Sequence, residues 1–170
     1  MYADQVPPRD VVIAPVVAEN AGELLTLQRA SYATEARIYG DPELPALIQN
    51  LAELQDELAT ATALKASVGH RIVGAVRAHL EGTVLHVGRL TVAPDWQGRG
   101  IGSRLLTAIE SHHGDQVDTA ALFTGHLSES NLAMYARRGY LEQRREQLRP
   151  GVVLVHLTKP LLRTTDGPRQ

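Results

Sequence analysis

The apolar positions change period several times along the chain. A β-branched run, "VVIAPVV" from Val11, reads as a first strand, after which Leu24, Leu25 and Leu27 gather on one helical face. Asn20 stands as an N-cap with Glu23 three residues on, so a first helix is predicted to about Arg37. Asp41-Pro42 offers a second start, cap and then first-turn proline. Beyond it Leu44, Leu47, Leu51, Leu54 and Leu58 recur at alternating spacings of three and four, the pattern of one helix with a core-facing stripe. From Thr62 the period shortens to two. "ALKASV", "RIVGAVRAHLE" and "TVLHVGRLTVA" are β-rich runs separated by "GH" and "EGT", connections that suit an antiparallel meander. Next, Ile101, Leu105, Leu106 and Ile109 mark a helix that ends near Gly114. "VDTAALFT" reads as a buried strand and "SESNLAMYARRG" as a helix with Ser128 near its cap and Gly139 past its end. "YLEQRREQL" and "VVLVHLT" form a closing hairpin across Pro150-Gly151. The predicted order is strand, two helices, three strands, helix, strand, helix, two strands.

Composition narrows what these elements build. With 170 residues and 44% hydrophobic content the chain suits one buried core, expected over residues 11–158, with flexible ends at 1–10 and 159–170. The absence of cysteine excludes a disulfide framework, a thiolate metal site and a cysteine nucleophile. Seventeen Lys and Arg against nineteen Asp and Glu argue against binding nucleic acid by phosphate neutralisation. No apolar run approaches the roughly 20 residues of a membrane span, and "MYADQVPPRD" lacks the basic and then apolar regions of a signal peptide. A cytoplasmic protein that binds neither nucleic acid nor membrane is expected. His112 and His113 at a helix C-terminus are explained by the dipole there, and no His or carboxylate spacing marks a metal site.

The densest chemical signal is "DWQGRGIGSRLL", residues 95–106, with three glycines in five positions at the start of a predicted helix. Open N–H groups and the positive end of a helix dipole make phosphate a natural guest, and Gly98, Gly100 and Gly102 let backbone approach an anion closely. The glycines stand as G-x-G-x-G, not the G-x-G-x-x-G of the dinucleotide turn, and Ser103-Arg104 does not supply the lysine and Ser/Thr of a P-loop. Taken alone, the cluster fits a chain-reversing turn or a site for some other phosphate ligand.

"LTVAPDWQGRGIGSRLL" resembles the acetyl-CoA-binding segment of the GCN5-related N-acetyltransferase (GNAT) superfamily, whose Q/R-x-x-G-x-G/A pattern is met by Gln97, Gly100 and Gly102. A second segment, "NLAMYARRGY", resembles the asparagine, helix, tyrosine and Gly-aromatic run that follows the fifth strand in that family. The resemblance covers about residues 11–158. It implies an α/β (α+β) domain with a mixed, mostly antiparallel sheet of about six to seven strands, flanked by about four helices, whose middle strands splay apart. It implies acetyl-CoA as cosubstrate, no metal, direct acetyl transfer to a primary amine of a small molecule or peptide, and a possible homodimer.

Roles follow from the same resemblance. The pyrophosphate would sit on N–H groups from Gln97 through Gly98, Arg99, Gly100 and Gly102 to Ser103, with Arg99 and Arg104 adding charge. The main chain of Leu90 and Val92 would pair with the pantetheine arm, and Asn131 would hydrogen-bond it. Tyr135, four residues on along the same helix face, would protonate the departing thiolate. His86 precedes Gln97 by eleven residues, on the strand that carries a catalytic Glu or His in several relatives, and imidazole exchanges protons near neutral pH. It is the candidate base; Glu81 and water are alternatives, and His126 is a weaker one. Strict alternation puts His86 on one face with Val84, Gly88, Leu90 and Val92 unless a bulge at Gly88 breaks the parity. Tyr32, Glu35 and Tyr39, in the segment the family uses for acceptor selection, would line the acceptor site. A CoA-binding module without turnover is the competing reading.

Overall fold

The computed structural model describes residues 10–162; of the expected flexible ends at 1–10 and 159–170, residues 1–9 and 163–170 lie outside the described residues. A seven-stranded sheet runs in the order β1-β2-β3-β4-β5-β7-β6. Its strands are β1 (Val12–Pro15), β2 (Thr62–Val68), β3 (Arg71–Glu81), β4 (Val84–Val92), β5 (Thr119–Gly125), β6 (Leu141–Arg149) and β7 (Val152–Pro160). Every neighbouring pair is antiparallel except β4 and β5, which are parallel. The helices are α1 (Ala21–Tyr39), α2 (Pro45–Ile48), α3 (Leu51–Thr60), α4 (Ile101–Ser111) and α5 (Glu129–Arg137). The α/β class and the mixed, mostly antiparallel sheet agree with the sequence reading. β7 continues two residues past the expected domain boundary at 158, pairing Pro160 with Thr119.

The helices form two layers. On β3, Arg77 reaches Gln28 of α1 and Glu57 of α3, whereas a Cβ on neighbouring Gly74 would meet Leu105 and Ile101 of α4. Alternate residues of β3 therefore face opposite helix layers, and the strand is buried from Ile72 to Ala78 because both faces are covered. Leu54, Leu85, Leu105, Ile109 and Val155 are fully enclosed in the resulting core. α4 belongs there because its apolar groups recur on one face. α1 stops at Gly40, whose left-handed backbone (φ 60°) terminates the helix.

One predicted start is corrected. The stretch from Asp41 to Thr60 holds two helices, α2 and α3, making five α-helices among the described residues where about four were expected; the first-turn proline is Pro45, not Pro42. Extended backbone at Gln49 and Asn50 interrupts the leucine stripe. Asn50 and Glu53 form a reciprocal capping box: the Glu53 N–H donates to Asn50 Oδ1 at 3.0 Å, and the Asn50 N–H to Glu53 Oε2 at 2.9 Å. Freed from the helix, Gln49 donates to Glu57 at 2.8 Å and accepts from Gln28 at 2.9 Å. Those bonds complete a network around the buried Arg77 guanidinium, which burial holds below its ordinary pKa while Glu57 opposes. Ser128 stands at the N-cap of α5, as expected, but its hydroxyl makes no capping bond and is used elsewhere.

Candidate active site

The central observation is a gap between β4 and β5. Their ladder holds only Val84↔Thr119, Leu85↔Ala120 and His86↔Ala121, although β4 runs on to Val92 and β5 to Gly125. β4 also carries a bulge: Arg77 and Ala75 of β3, two residues apart, face Gly88 and Thr91, three apart. The residue that absorbs the extra step is Arg89, one beyond the Gly88 position considered from sequence, with φ 49°. The parity of the strand changes there. His86 stays with His79 on the α1 face, while Leu90 and Val92 turn to the α4 face, near enough that a Cβ on Gly102 would stand 4.0 and 3.7 Å from them.

The glycine turn lies at the end of β4. Pro94–Trp96 makes a 3₁₀ turn, Gly98 and Gly100 adopt φ 73° and 78°, and nothing stands within 4 Å of where their Cβ atoms would be. These are conformations only glycine takes readily. The first intrahelical bond of α4 runs from the Arg104 N–H to the Gly100 carbonyl at 3.1 Å, so amides ahead of it have no helical partner. Open amides beside two bare glycines fit an anionic, phosphate-bearing group. The side chains around them are partly engaged. Gln97 donates to the Val92 carbonyl at 3.2 Å, and Arg99 folds over the Trp96 ring at 4.5 Å with a bond to the Asp95 carbonyl. Arg104 donates to the Val11 carbonyl at 3.0 Å.

Tyr135 belongs to α5 and comes near Tyr32 and Glu35 of α1. It is buried, 5.7 Å ring to ring from Tyr140, and burial raises its phenol pKa, with Tyr32 and Glu35 adding to the rise. The phenol is therefore protonated and set against two residues of α1, on the opposite layer. Asn131, one turn earlier on α5, is half-buried, and no hydrogen bond engages its side chain among the described residues. Side chains of α1 and its following loop close the far end of the gap. Ser128 donates to Glu35 at 2.6 Å, Leu127 donates its N–H to the Tyr39 hydroxyl at 2.9 Å, and Asp41 pairs with Arg149 of the β6–β7 hairpin. A Cβ on Gly125 would collide with that same Tyr39 hydroxyl. Tyr39, expected to line the acceptor site, thus commits its hydroxyl to holding α1 on the loop after β5.

The two candidate bases meet. His86 Nε2 lies 3.3 Å from Glu81 Oε2, and the imidazole stacks on that of His79 at 5.2 Å with 16° between planes. His86 stands at the last paired step of β4 and β5, where the gap opens. His126 is pinned instead: its Nδ1 accepts from the Val153 N–H at 3.2 Å, and its ring lies 6.1 Å from that of Tyr39. Three residues in this region escaped the sequence reading. Arg89 and His79 carry no local signal, and Ser128 was assigned a cap. Among the described residues no group of three or more His, Cys, Asp or Glu stands where it could hold a metal, and no helix is long and apolar enough to cross a membrane.

A splayed parallel pair beside a glycine-lined helix start is a fold with many solved counterparts. The chain is similar to the PaiA N-acetyltransferase of Thermoplasma acidophilum, solved in complex with coenzyme A, with a TM-score of 0.73 at 16% identity, covering 89% of this chain and 99% of that one. It is similar to a GCN5-related N-acetyltransferase from Rhodopseudomonas palustris (TM-score 0.72, 21% identity, 92% and 99% covered). A ribosomal-protein-alanine N-acetyltransferase from Brucella melitensis gives 0.69 at 17% identity, with 88% and 99% covered. No curated protein sequence matches the chain. These likenesses establish the fold. Residues 37–161 match the acetyltransferase (GNAT) domain, and the chain belongs to that family.

Proposed function

We propose that this chain is an acetyl-CoA-dependent N-acetyltransferase that passes the acetyl group directly to a primary amine of a small molecule or peptide. The observation that carries the reading is the gap between β4 and β5, with the glycine turn and its open amides at the end of β4; the buried, protonated Tyr135 on α5 supports it. The T. acidophilum neighbour, solved with coenzyme A, supports the choice of cosubstrate. Amides of Gln97 to Ser103 would hold the pyrophosphate, and main chain of β4 around Leu90 and Val92, which has no strand partner across the gap, would take the pantetheine arm as an added strand, in place of the side chains of Ser31 and Gln97 now on the Val92 carbonyl. Asn131 would bond the same arm.

The acyl thioester supplies the electrophile. His86 would take the proton that the attacking amine must lose, with Glu81 accepting a hydrogen bond from the imidazolium. The amine lone pair then forms the C–N bond, main-chain N–H groups of the bulged strand receive the charge on the carbonyl oxygen, and the C–S bond breaks. Tyr135 would give its proton to the leaving thiolate. Its raised pKa means that the phenol still carries this proton at neutral pH.

The test is thiol release from acetyl-CoA across amine classes, together with thermal unfolding in acetyl-CoA, CoA, ATP and NAD. Stabilisation by acetyl-CoA and CoA with amine-dependent thiol release is expected. Stabilisation by nucleotides but not by CoA would sink the reading, and acetyl-CoA binding without turnover on any amine would favour a binding module.

A further inference from the structure

Four lysine or arginine side chains among the described residues are buried or half-buried, and three have an acceptor. Arg77 pairs with Glu57 at 2.8 Å, Lys159 with Glu110 at 2.8 Å, and Lys65 donates to Asn20 at 2.8 Å. The fourth is Arg89. It has no carboxylate or carbonyl partner among the described residues, and its guanidinium carbon lies 5.8 Å from the centre of the Tyr32 ring. Arg77, of like sign, lies close enough for the two charges to oppose each other. A cation taken partly out of water without an anion is costly, and a second cation beside it adds to that cost.

The backbone points the same way. Arg89 is the only non-glycine residue among those described with positive φ, at 49°, a conformation that costs an L-residue roughly 1 kcal/mol. A glycine at the bulge would relieve the strain and remove the unpaired charge together. Both penalties fall on one residue, at the edge of the gap, facing α1.

Arg89 meets α1 at Tyr32, and the same helix carries a carboxylate. Glu35 lies one turn beyond Tyr32, and both bear on Tyr135. Ser128 occupies one Glu35 oxygen at 2.6 Å and fixes the carboxylate in place. This stretch of α1 thus holds an anchored carboxylate and, against the Tyr32 ring, an unpaired guanidinium. That pair is the complement of a zwitterion. We propose that Arg89 binds a carboxylate of the acceptor, which is therefore an α-amino acid or another primary amine with a carboxylate a few bonds away. The inference rests on the acetyltransferase reading above and names the substrate class of that same site. Guanidinium and carboxylate match as a two-pronged pair, and the Tyr32 face restricts how the guanidinium can turn. Glu35 receives the ammonium before it is deprotonated. Polyamines gain nothing from Arg89 and are repelled by it.

The experiment compares each of a set of α-amino acids with its own amide, which keeps the amine and side chain and lacks the carboxylate, and adds a diamine. Thiol release from acetyl-CoA is followed for the full chain, for Arg89→Gln and for Arg89→Lys. At least one amino acid is expected to exceed its amide in kcat/KM by on the order of tenfold or more, through KM. Arg89→Gln should bring that ratio close to one, and Arg89→Lys should restore part of it. Amides or the diamine used as well as the amino acids would overturn the inference while leaving the acetyltransferase reading intact. So would a ratio unchanged in Arg89→Gln. No thiol release with any amine would overturn the acetyltransferase reading and this inference with it.

Discussion

Tyr135 and His86 divide the proton traffic of the proposed reaction, and each has a distinct expected signature. Tyr135 is enclosed and burial raises its phenol pKa, so it holds the proton that it would give to sulfur in the proposed reaction. Tyr135→Phe keeps the ring packing against Tyr140 and removes the proton. It is expected to lower kcat by about 10²-fold while shifting acetyl-CoA affinity less than about threefold, measured by steady-state kinetics and direct titration. An unchanged rate would take Tyr135 out of the acid role. His86 is held between Glu81 and the His79 ring. His86→Gln should abolish the acid limb of the pH profile of kcat/KM, the limb on which a base loses activity by becoming protonated. A limb that persists passes the role to Glu81 or to water.

At the scale of elements, β3 and α4 pack closely, and the approach depends on Gly74. An added Cβ there would stand 2.9 Å from Leu105 Cδ1, 3.0 Å from Ile101 Cγ2 and 3.2 Å from the Thr91 carbonyl oxygen. Gly74→Ala is therefore expected to destabilise the protein by about 1–3 kcal/mol, seen as a lower midpoint in chemical denaturation. The strands and three of the helices were legible because their apolar residues repeat at one period between turn residues. The break at Gln49 and Asn50 was not. Leu47 and Leu51 keep helical spacing across it, and the interruption serves a charge, Arg77, fewer than thirty residues away in sequence and buried against α3. The Asn50-Glu53 box was the available sign. In the candidate site, the glycine turn stood out by its local spacing and Tyr135 by the resemblance of its segment to the family, whereas Arg89 did not stand out. Nothing near residue 89 announces a left-handed step in a strand; it becomes visible only when β4 is laid against β3.

At the scale of the whole molecule, two phenols couple stability to pH. Burial raises both Tyr135 and Tyr140, and Glu110 adds to the rise at Tyr140, where the hydroxyl donates to its carboxylate at 2.8 Å. In the unfolded chain tyrosine ionises near pH 10, roughly, while the native protein still holds both protons. Above that pH the native state binds more protons than the unfolded one, so the slope of stability against pH is negative. Stability contributed by these groups is complete below about pH 10 and falls as pH rises beyond it. Denaturation midpoints measured from pH 8 to 11 should decline at the alkaline end, and less steeply in Tyr140→Phe. A flat alkaline profile would mean that the phenols ionise in place.

The three-step ladder between β4 and β5 has a mechanical meaning as well as a chemical one. The sheet is two rafts, β1–β4 and β5-β7-β6, joined by main chain along a short seam and moored elsewhere by side chains such as Tyr39, Glu35 and Asp41. Amides along the unjoined edges, from Val87 to Val92 and from Leu122 to Gly125, lack a strand partner across the gap. A thioester arm lying there as a rung would supply the missing bonds and fasten the rafts together. Deuterium uptake along both edges should therefore slow when acetyl-CoA is added, including at positions the ligand does not touch. Protection confined to the glycine turn would mean that the cofactor sits on the protein without joining its halves.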